Sequence, residues 1–369
     1  MKQMPFTRRR FLKTAGAAAG ALATPYVMRS SAFAQSNVVN VWTYANFLPQ
    51  SFIDQFQRDT GVQIRIRLVD DQGAQFNLMA AEAPNPSADL VTIASHRFKQ
   101  FVSSDLLAPL DTEKLIHWQN VNPVFRESDW ISMDGNKWGM PILTGADALC
   151  YNTEMVSDEE ADSWMIMFDP KFKGQVTYEI QGFFSSLILA MGNDGNMVEY
   201  LGNEEKAREV VNAARDMMIE HKDMVRKYVT SGPESQQMFI NQEVVAAQAW
   251  SGPFAKMIME GFPLDVNIPK EGGYGFVYNL NLANNSPNAE NAYKLLDAIL
   301  ASPEVGTEMV RASGFASTID GADEALSDLE KRAIAFSPRD LERLIFISSE
   351  ANDLKWPLID AAVEQVKAA

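Results

Sequence analysis

The chain has 369 residues, of which 46% are hydrophobic and 22% are charged, and its 48 acidic and 32 basic residues give a formal net charge of −16. So large an excess of acids repels phosphate backbones and anionic lipid headgroups, which argues against nucleic acid and membrane surfaces as partners. The length exceeds what one hydrophobic core usually carries, so two lobes are expected.

The N-terminal segment has the features of an export signal. Arg8, Arg9 and Arg10 precede an Ala/Gly-rich apolar stretch at 15–23, and Ala32-Phe33-Ala34 follows as a small-x-small cleavage site. These features predict a twin-arginine signal peptide over residues 1–34 and a periplasmic mature protein without direct membrane insertion. Removing this segment, with its six basic residues and no acid, takes the net charge from −16 to −22.

The first part of the mature chain alternates between strand and helix patterns. Apolar runs and helical spacing predict the elements in this order: strand 38–44, helix 51–60 ending at Gly61, strand 62–69, helix 74–83 and strand 89–94. The strand at 62–69 alternates apolar and polar residues, which is typical of a half-buried edge strand. The β-α-β-α-β order predicts a parallel, doubly wound sheet.

The rest of the chain repeats this α/β theme. The predicted strands are 175–179, 225–229, 243–250 and 274–282. A helix that includes residues 187–191 is predicted first. The other predicted helices are 204–220, 254–260, 289–300, 303–312 and most of 339–367. Because no low-complexity linker separates the lobes, a hinge is expected at strand crossovers near Thr144 and Tyr274. Lobe 1 is then expected to comprise residues 35–144 plus 275–320, and lobe 2 residues 145–274 plus 321–369.

A binding region is expected where the predicted strands end. In doubly wound sheets, ligands lie beyond the carboxyl ends of the strands. Residues 45–47, 70–72 and 95–97 follow three strands of the first lobe, and Glu179 and Trp250 end two strands of the second. The two sets of loops are expected to face each other across a cleft.

No motif for catalysis or metal binding is present in the sequence. His96, His117 and His221 do not have metal-ligand spacing, and neither a phosphate-binding glycine loop nor a G-x-S-x-G motif occurs. Cys150 is the one cysteine and lies in an apolar context, which predicts a buried side chain. We therefore expect no catalytic residue, no metal and no cofactor.

Short segments along nearly the whole mature chain resemble the polyamine-type (spermidine/putrescine) extracellular solute-binding family. They are Val41-Trp42-Thr43-Tyr44, Thr60-Gly61-Val62, Ala88-Asp89-Leu90-Val91, Pro109-Leu110-Asp111, Trp138-Gly139-Met140-Pro141, Tyr151-Asn152, Ser163-Trp164, Asp169-Pro170-Lys171, Lys173-Gly174 and Pro269-Lys270-Glu271-Gly272-Gly273. The resemblance implies the type II periplasmic binding-protein fold, with a hinge and a small-molecule solute in the cleft. It also implies a monomer that delivers the solute to an ABC permease in the inner membrane, and not an enzyme.

The resemblance also implies which residues contact the ligand. The family uses aromatic side chains to sandwich an alkyl chain and carboxylates to hold amines; Glu179 stands at one acid position, whereas Gly182 and Tyr278 stand where further acids are expected. Aromatic faces suit an alkyl chain or a cation. With Asp147 as a possible second acid, the predicted contacts are Tyr44, Phe47, Ser95, His96, Asp147, Glu179, Trp250, Phe276 and Tyr278.

The chemical class of the ligand follows from the charges. A buried diamine needs an acid at each end, because an unpaired buried ammonium is costly. Glu179 supplies one acid and Asp147, Asp70 or Asp71 another, whereas Arg97 brings a positive charge to the rim. The sequence thus favours a polyamine-related ligand with one amine, or a zwitterion, over spermidine itself. Two alternatives stay open: a small anion such as a phosphonate or carboxylate held by His96 and Arg97, and a periplasmic enzyme with Glu179 as base.

Overall fold

The computed structural model of the chain describes residues 37–69 and 71–369. The predicted signal peptide, residues 1–34, lies outside the described residues, and so does Asp70, one of the acids considered for the ligand. No helix within the described residues is both long enough and apolar enough to cross a membrane.

Strands and helices alternate along most of the described chain. The strands are β1 (Val38–Thr43), β2 (Gln63–Leu68), β3 (Leu90–Ala94), β4 (Ser132–Met133), β5 (Asn136–Lys137), β6 (Met140–Asn152), β7 (Val176–Glu179), β8 (Val225–Val229), β9 (Ala246–Trp250), β10 (Leu264–Asn267), β11 (Gly273–Leu282), β12 (Ala316–Ser317) and β13 (Leu344–Phe346). The helices are α1 (Gln50–Thr60), α2 (Gln72–Glu82), α3 (Phe98–Ser103), α4 (Pro123–Arg126), α5 (Ile180–Ala190), α6 (Glu204–Glu220), α7 (Gly232–Ile240), α8 (Ser251–Met259), α9 (Ala289–Leu300), α10 (Pro303–Ser313), α11 (Asp328–Ile334), α12 (Pro338–Arg343) and α13 (Asn352–Ala368).

The main sheet consists of two parallel sets joined by antiparallel strands. Its order is β2-β1-β3-β11-β6-β9-β7-β8. The strand β1 pairs in parallel with β2 and β3, and β7 pairs in parallel with β8 and β9. Between these sets, β11 pairs antiparallel with β3 and with β6, and β6 pairs antiparallel with β9. The predicted β-α-β-α-β unit is confirmed for the first set.

Local sequence patterns account for the elements that were predicted well. On α1, Phe52, Ile53 and Phe56 are buried, as their helical spacing predicts. Gly61 ends this helix at φ 70°, a left-handed conformation that a side chain would strain. The charged helix α6 has its predicted bounds, Glu204–Glu220.

The long strand β6 takes part in two hydrophobic cores. Its first half places Ile142 and Leu143 in a core with β1 and α9, and its second half places Leu149 and Tyr151 in a core with α5, α6 and α13. Thr144, between the two halves, pairs with Val277 of β11, and Tyr274 of β11 pairs with Asp147. The two positions predicted for the hinge thus lie on neighbouring strands, while the hinge and the lobe boundaries stay predictions.

Three features of the structure bear on finer predictions. Cys150 is buried, as expected. The strand β2 is an edge strand, as expected, but Ile66 and Leu68 are 38% and 58% exposed because that face of the outermost strand is uncovered. The stretch 339–367 is not helical throughout: Leu344–Phe346 forms β13, which pairs in parallel with Gly273–Gly275 of β11 and satisfies main-chain groups at its edge.

Candidate functional site

Strand ends and loops bring four predicted aromatic contacts into one cluster. The ring centroids of Tyr44 and Phe47, in the loop after β1, lie 5.2 Å apart. Both rings contact Tyr278 of β11, at centroid distances of 5.2 Å from Tyr44 and 4.9 Å from Phe47. Phe276, two residues earlier on the same face of β11, lies 5.0 Å from Tyr278. Packing among these rings is tilted or edge-to-face, the geometry that aromatic side chains prefer.

A fifth ring, Phe315, completes the cluster and was not predicted from the sequence. Its centroid lies 5.8 Å from Phe47 and 5.6 Å from Tyr278. The ring fits against Gly145 of β6, where an added Cβ would lie 2.5 Å from its Cδ1 atom. Phe47, Phe276, Tyr278 and Phe315 are each less than 9% exposed. These four rings belong to one hydrophobic core, and the partly buried Trp250 packs against it.

Asp147 is a partly buried residue in the middle of the sheet. On β6 it pairs with Tyr274 of β11 on one side and with Trp250 of β9 on the other. Its Oδ1 atom is buried and has no hydrogen-bond partner within residues 37–69 and 71–369. Burial raises the pKa of this carboxyl to about 7; the Glu179 carboxylate adds to the rise, and the Lys355 ammonium opposes it. Such a group is suited to hold a ligand cation.

Glu179 lies at the end of β7 and also caps α5. Its carboxylate oxygens accept hydrogen bonds from the main-chain N–H groups of Gln181 and Gly182. Burial raises its pKa, while these two hydrogen bonds lower it. A Cβ on Gly182 would lie 2.9 Å from Oε2 of Glu179, so the glycine that replaces the family's expected acid leaves room for the cap. Glu179 is therefore in part a structural residue.

Ser95 and His96, the two predicted contacts after β3, differ in whether their side chains already form hydrogen bonds. Ser95 joins β3 to β11: its N–H donates to the carbonyl of Val277, and its Oγ accepts from the N–H of Val277 at 3.2 Å. His96 is partly exposed, but its Nδ1 is buried and makes no hydrogen bond to the described residues. Burial, followed by the charges of Arg97 and Lys355, lowers the pKa of His96 to about 3. The imidazole is thus uncharged at neutral pH and offers no positive charge to an anion.

Of the two charged residues considered for the cleft, Asp71 caps a helix, whereas the buried Nε atom of Arg97 has no hydrogen-bond partner among the described residues. Asp71 caps α2, since its Oδ1 accepts from the N–H of Ala74. Burial lowers the pKa of the Arg97 guanidinium, and the negative charges of the Asp71 and Asp360 carboxylates oppose that effect. Asp360 belongs to α13, so Arg97 interacts with acids at two sides of the site.

Lys355 is a charged residue at the site that the sequence interpretation missed. It lies on α13 and is 2% exposed. Its Nζ atom lies 4.8 Å from the ring centroid of Trp356 and 5.5 Å from that of Tyr274. A signal was present in the sequence, because Lys355 shares the helical stripe of the buried residues Leu358, Ile359, Ala362, Val363 and Val366.

Seven of the nine predicted contacts lie on β6 or β11 or directly against them, namely Asp147, Phe276, Tyr278, Tyr44, Phe47, Ser95 and Trp250. His96 follows Ser95 and Glu179 ends β7, and the role of all nine as ligand contacts stays a prediction. A shallow crevice beside Thr144, lined also by Ser251, Gly314 and Phe336, contains none of the nine. Among the described residues, no group of three or more His, Cys, Asp or Glu side chains is placed to hold a metal ion.

Comparisons with known proteins agree with this architecture. The sequence model of the family described as bacterial extracellular solute-binding protein matches residues 51–336. The chain is 23% identical over 298 residues to spermidine/putrescine-binding periplasmic protein 1 of Haemophilus influenzae, covering 79% of this chain and 78% of that protein. It is also 23% identical over 353 residues to the putrescine/agmatine-binding protein of Pseudomonas aeruginosa, covering 91% of each chain.

Solved structures confirm the fold class. The chain matches the spermidine/putrescine ABC transporter substrate-binding protein of Streptococcus pneumoniae with a TM-score of 0.73 and 18% identity, covering 90% of this chain and 98% of that one. This likeness supports the predicted α/β fold of two doubly wound lobes joined by a hinge. The relatives are named as binding proteins, in agreement with the prediction of a binding protein rather than an enzyme. The chain therefore belongs to the bacterial extracellular solute-binding protein family.

Proposed function

We propose that this solute-binding protein is the substrate-binding component of an ABC transporter and captures a polyamine or a related small organic amine between its two lobes. The observation that carries the proposal is the buried Oδ1 atom of Asp147, which lacks a hydrogen-bond partner in the part of the chain that the structure describes. An unsatisfied buried oxygen is costly, and an ammonium group would satisfy it with a charge-assisted hydrogen bond.

The surroundings of Asp147 support an organic cation as ligand. Trp250 flanks it on β9, and Tyr274 flanks it on β11. Tyr278 is close enough for the Asp147 charge to raise the pKa of its hydroxyl, after the larger effect of burial. Aromatic faces attract cations and cover alkyl chains, so this environment suits an amine on a hydrocarbon chain. The relatives named as spermidine/putrescine-binding and putrescine/agmatine-binding proteins support the same class.

Binding is proposed to proceed by closure of the two lobes around the solute. The long strands β6 and β11 connect the two parallel halves of the sheet, and bending near Thr144 and Tyr274 would open a path to Asp147. Opening would move the rings of Tyr44, Phe47 and Tyr278, which lie together on the predicted lobe 1, away from Trp250 and Glu179 on the predicted lobe 2. Closure would then desolvate the solute and present a surface that the inner-membrane permease recognises.

Export by the twin-arginine route to the periplasm, followed by action as a monomer, belongs to the same proposal. The sequence motif at Arg8, Arg9 and Arg10 and the cleavage pattern at Ala34 support the export step. Relatives named as periplasmic proteins support the compartment.

A thermal-shift titration with putrescine, spermidine, butylamine and methylphosphonate tests the proposal. An amine that binds the folded state stabilises it by RT ln(1 + [L]/Kd), about 2.7 kcal/mol at a ligand concentration of roughly 100 Kd. We expect amines to raise the melting temperature in proportion to the logarithm of their concentration. Stabilisation by methylphosphonate alone would reject an amine ligand, and conversion of a stabilising amine, followed by NMR, would indicate an enzyme instead.

A further inference from the structure

Lys355 places a buried positive charge beside the proposed amine site. The side chain is 2% exposed, and its Nζ lies over the faces of Trp356 and Tyr274. Within the residues that the structure describes, Nζ makes no hydrogen bond and no ion pair to an acidic group. Lysine is rarely buried without a partner, because moving an ammonium out of water is strongly unfavourable.

The acids near Lys355 do not serve as its partner. Asp147 and Asp194 both favour the charged form of Lys355 and oppose the lowering of its pKa by burial, but neither forms an ion pair with it. The Asp194 carboxylate is occupied in its own turn, where it accepts from the N–H groups of Asn196 at 2.8 Å and Glu199 at 2.9 Å. The Oδ1 atom of Asp147 has no hydrogen-bond partner in the described chain. The Lys355 ammonium and the Asp147 carboxyl therefore lie near enough to affect each other's charge but do not form an ion pair.

A second cation at this site would meet repulsion from Lys355. The first ammonium of a diamine can pair with Asp147, but the second would enter a site in which Glu179 already accepts two main-chain hydrogen bonds and in which Lys355 and Arg97 are positive. His96 carries a positive charge only in acid, so it does not alter this balance at neutral pH. Like charges in a poorly solvated site repel strongly.

We infer that Lys355 is a ligand-binding residue that binds a carboxylate. The solute is then an amino-carboxylate, whose ammonium pairs with Asp147 and whose carboxylate pairs with Lys355. This inference rests on the proposed function, since it assigns a second end to the same amine ligand. A zwitterion provides an ammonium for Asp147 and a carboxylate for Lys355, and it adds no net charge to the closed site.

The test is calorimetric titration of the full-length mature protein with matched pairs of ligands. Each ω-amino acid of three to six carbons is compared with the α,ω-diamine that has the same number of chain atoms, and with butyrate as a carboxylate lacking the amine. Two variants accompany the wild type: Lys355→Met, which keeps the length and removes the charge, and Lys206→Met, which removes an exposed lysine on α6. Circular dichroism checks that both variants fold.

We expect the wild type and Lys206→Met to prefer one ω-amino acid over its matched diamine by about tenfold or more, as a charge-assisted hydrogen bond supplies. Lys355→Met should lose that preference and bind the diamine at least as tightly as the amino acid. A wild type that prefers diamines would overturn the inference and leave the proposed function intact. Preference for butyrate, or binding of none of these ligands, would overturn both, and these wild-type results count even if Lys355→Met does not fold.

Discussion

The aromatic cluster and the charged groups around Asp147 lie side by side but differ in how completely they are satisfied. The rings of Phe47, Phe276 and Tyr278 contact one another and are almost fully buried. The Lys355 side chain and the Oδ1 atom of Asp147 are also buried, yet Asp147 Oδ1 has no hydrogen-bond partner among the described residues, and Lys355 Nζ lies over aromatic rings and forms no ion pair with the described acids. Apolar side chains satisfy each other by packing, whereas the Oδ1 atom of Asp147 requires a hydrogen-bond donor.

Because of this difference, we expect the rings to determine folding stability and the charged groups to determine ligand binding. The rings gain their stabilisation from burial and mutual packing, with or without a solute. Buried polar atoms without partners are costly until a ligand supplies the missing contact. Mutations in the rings should therefore act mainly on folding, and mutations in the charged groups mainly on binding.

The largest effect is expected from removing a ring. Phe47→Ala leaves a cavity within the cluster and should lower the free energy of unfolding by about 3–5 kcal/mol. Ile116→Ala serves as control, because Ile116 is 82% exposed and its loss should change stability by less than about 0.5 kcal/mol. Urea unfolding followed by circular dichroism measures both. A loss as small as the control's would show that the rings are not a packed core.

The second-largest effect is expected on the affinity of the protein for an amine. Asp147→Asn should weaken amine binding about 100-fold, because it removes the charge from the hydrogen bond to the ammonium. Asp223→Asn is the matched control, since Asp223 forms an exposed ion pair with Lys173 and should leave affinity unchanged. Calorimetric titration with the best amine compares the three proteins. Equal affinity in all of them would remove Asp147 from the site.

The pH dependence of the free energy of unfolding gives a further test of how Asp147 differs from the packed rings. The pKa of Asp147 rises from 3.8 to about 7 on folding, so between these values the folded state binds more protons than the unfolded state. This carboxyl therefore lowers the free energy of unfolding as pH rises from about 4 to about 7, by at most about 1.4 kcal/mol per pH unit.

Asp147→Asn lacks this titration, so its stability relative to the wild type should increase over the same pH range. His96 acts in the opposite direction, because its lowered pKa costs stability as pH falls below its usual 6.5. That contribution is present in both proteins and cancels in the difference. Thermal unfolding at several pH values gives the difference curve, and a flat curve would contradict a buried, neutral Asp147.

The smallest expected effect comes from Glu179, which caps α5 and is also a predicted ligand contact. Glu179→Gln keeps one acceptor for the main-chain N–H groups of α5 but loses the charge, so stability should fall by about 1 kcal/mol. Amine affinity should fall less than in Asp147→Asn, because both carboxylate oxygens already accept hydrogen bonds. Glu209→Gln, at an exposed position on α6, is the control. A loss of binding without any loss of stability would make Glu179 a dedicated ligand contact.

Much of the fold was predictable from local patterns. The helical spacing of Phe52, Ile53 and Phe56 and the stop at Gly61 placed α1, and the order of strands and helices gave the parallel pairing. The strand β13 was not predicted, because three apolar residues between two helices show no period, and their pairing with β11 depends on a segment about 70 residues away in sequence.

The candidate site was predictable only in part. The predicted strand ends correctly placed Tyr44 just after β1 and Trp250 at the end of β9, whereas Asp147 was predicted only as a second acid and lies in the middle of β6. Phe315 was missed, since nothing distinguishes this phenylalanine until the sheet brings it against Gly145. Lys355 carried a signal, its place on the buried stripe of α13, but only the packing of that helix shows that its ammonium lies over the ring of Tyr274, which pairs with Asp147.

Proton release on binding tests most directly whether an amine pairs with an ionised Asp147. Calorimetric titration near pH 6, in two buffers with different ionisation enthalpies, counts the protons exchanged per ligand bound. Because the free carboxyl is largely protonated there, the wild type should release close to one proton for each amine, and Asp147→Asn should release none. An equal proton count in the two proteins, with equal affinity, would contradict the account.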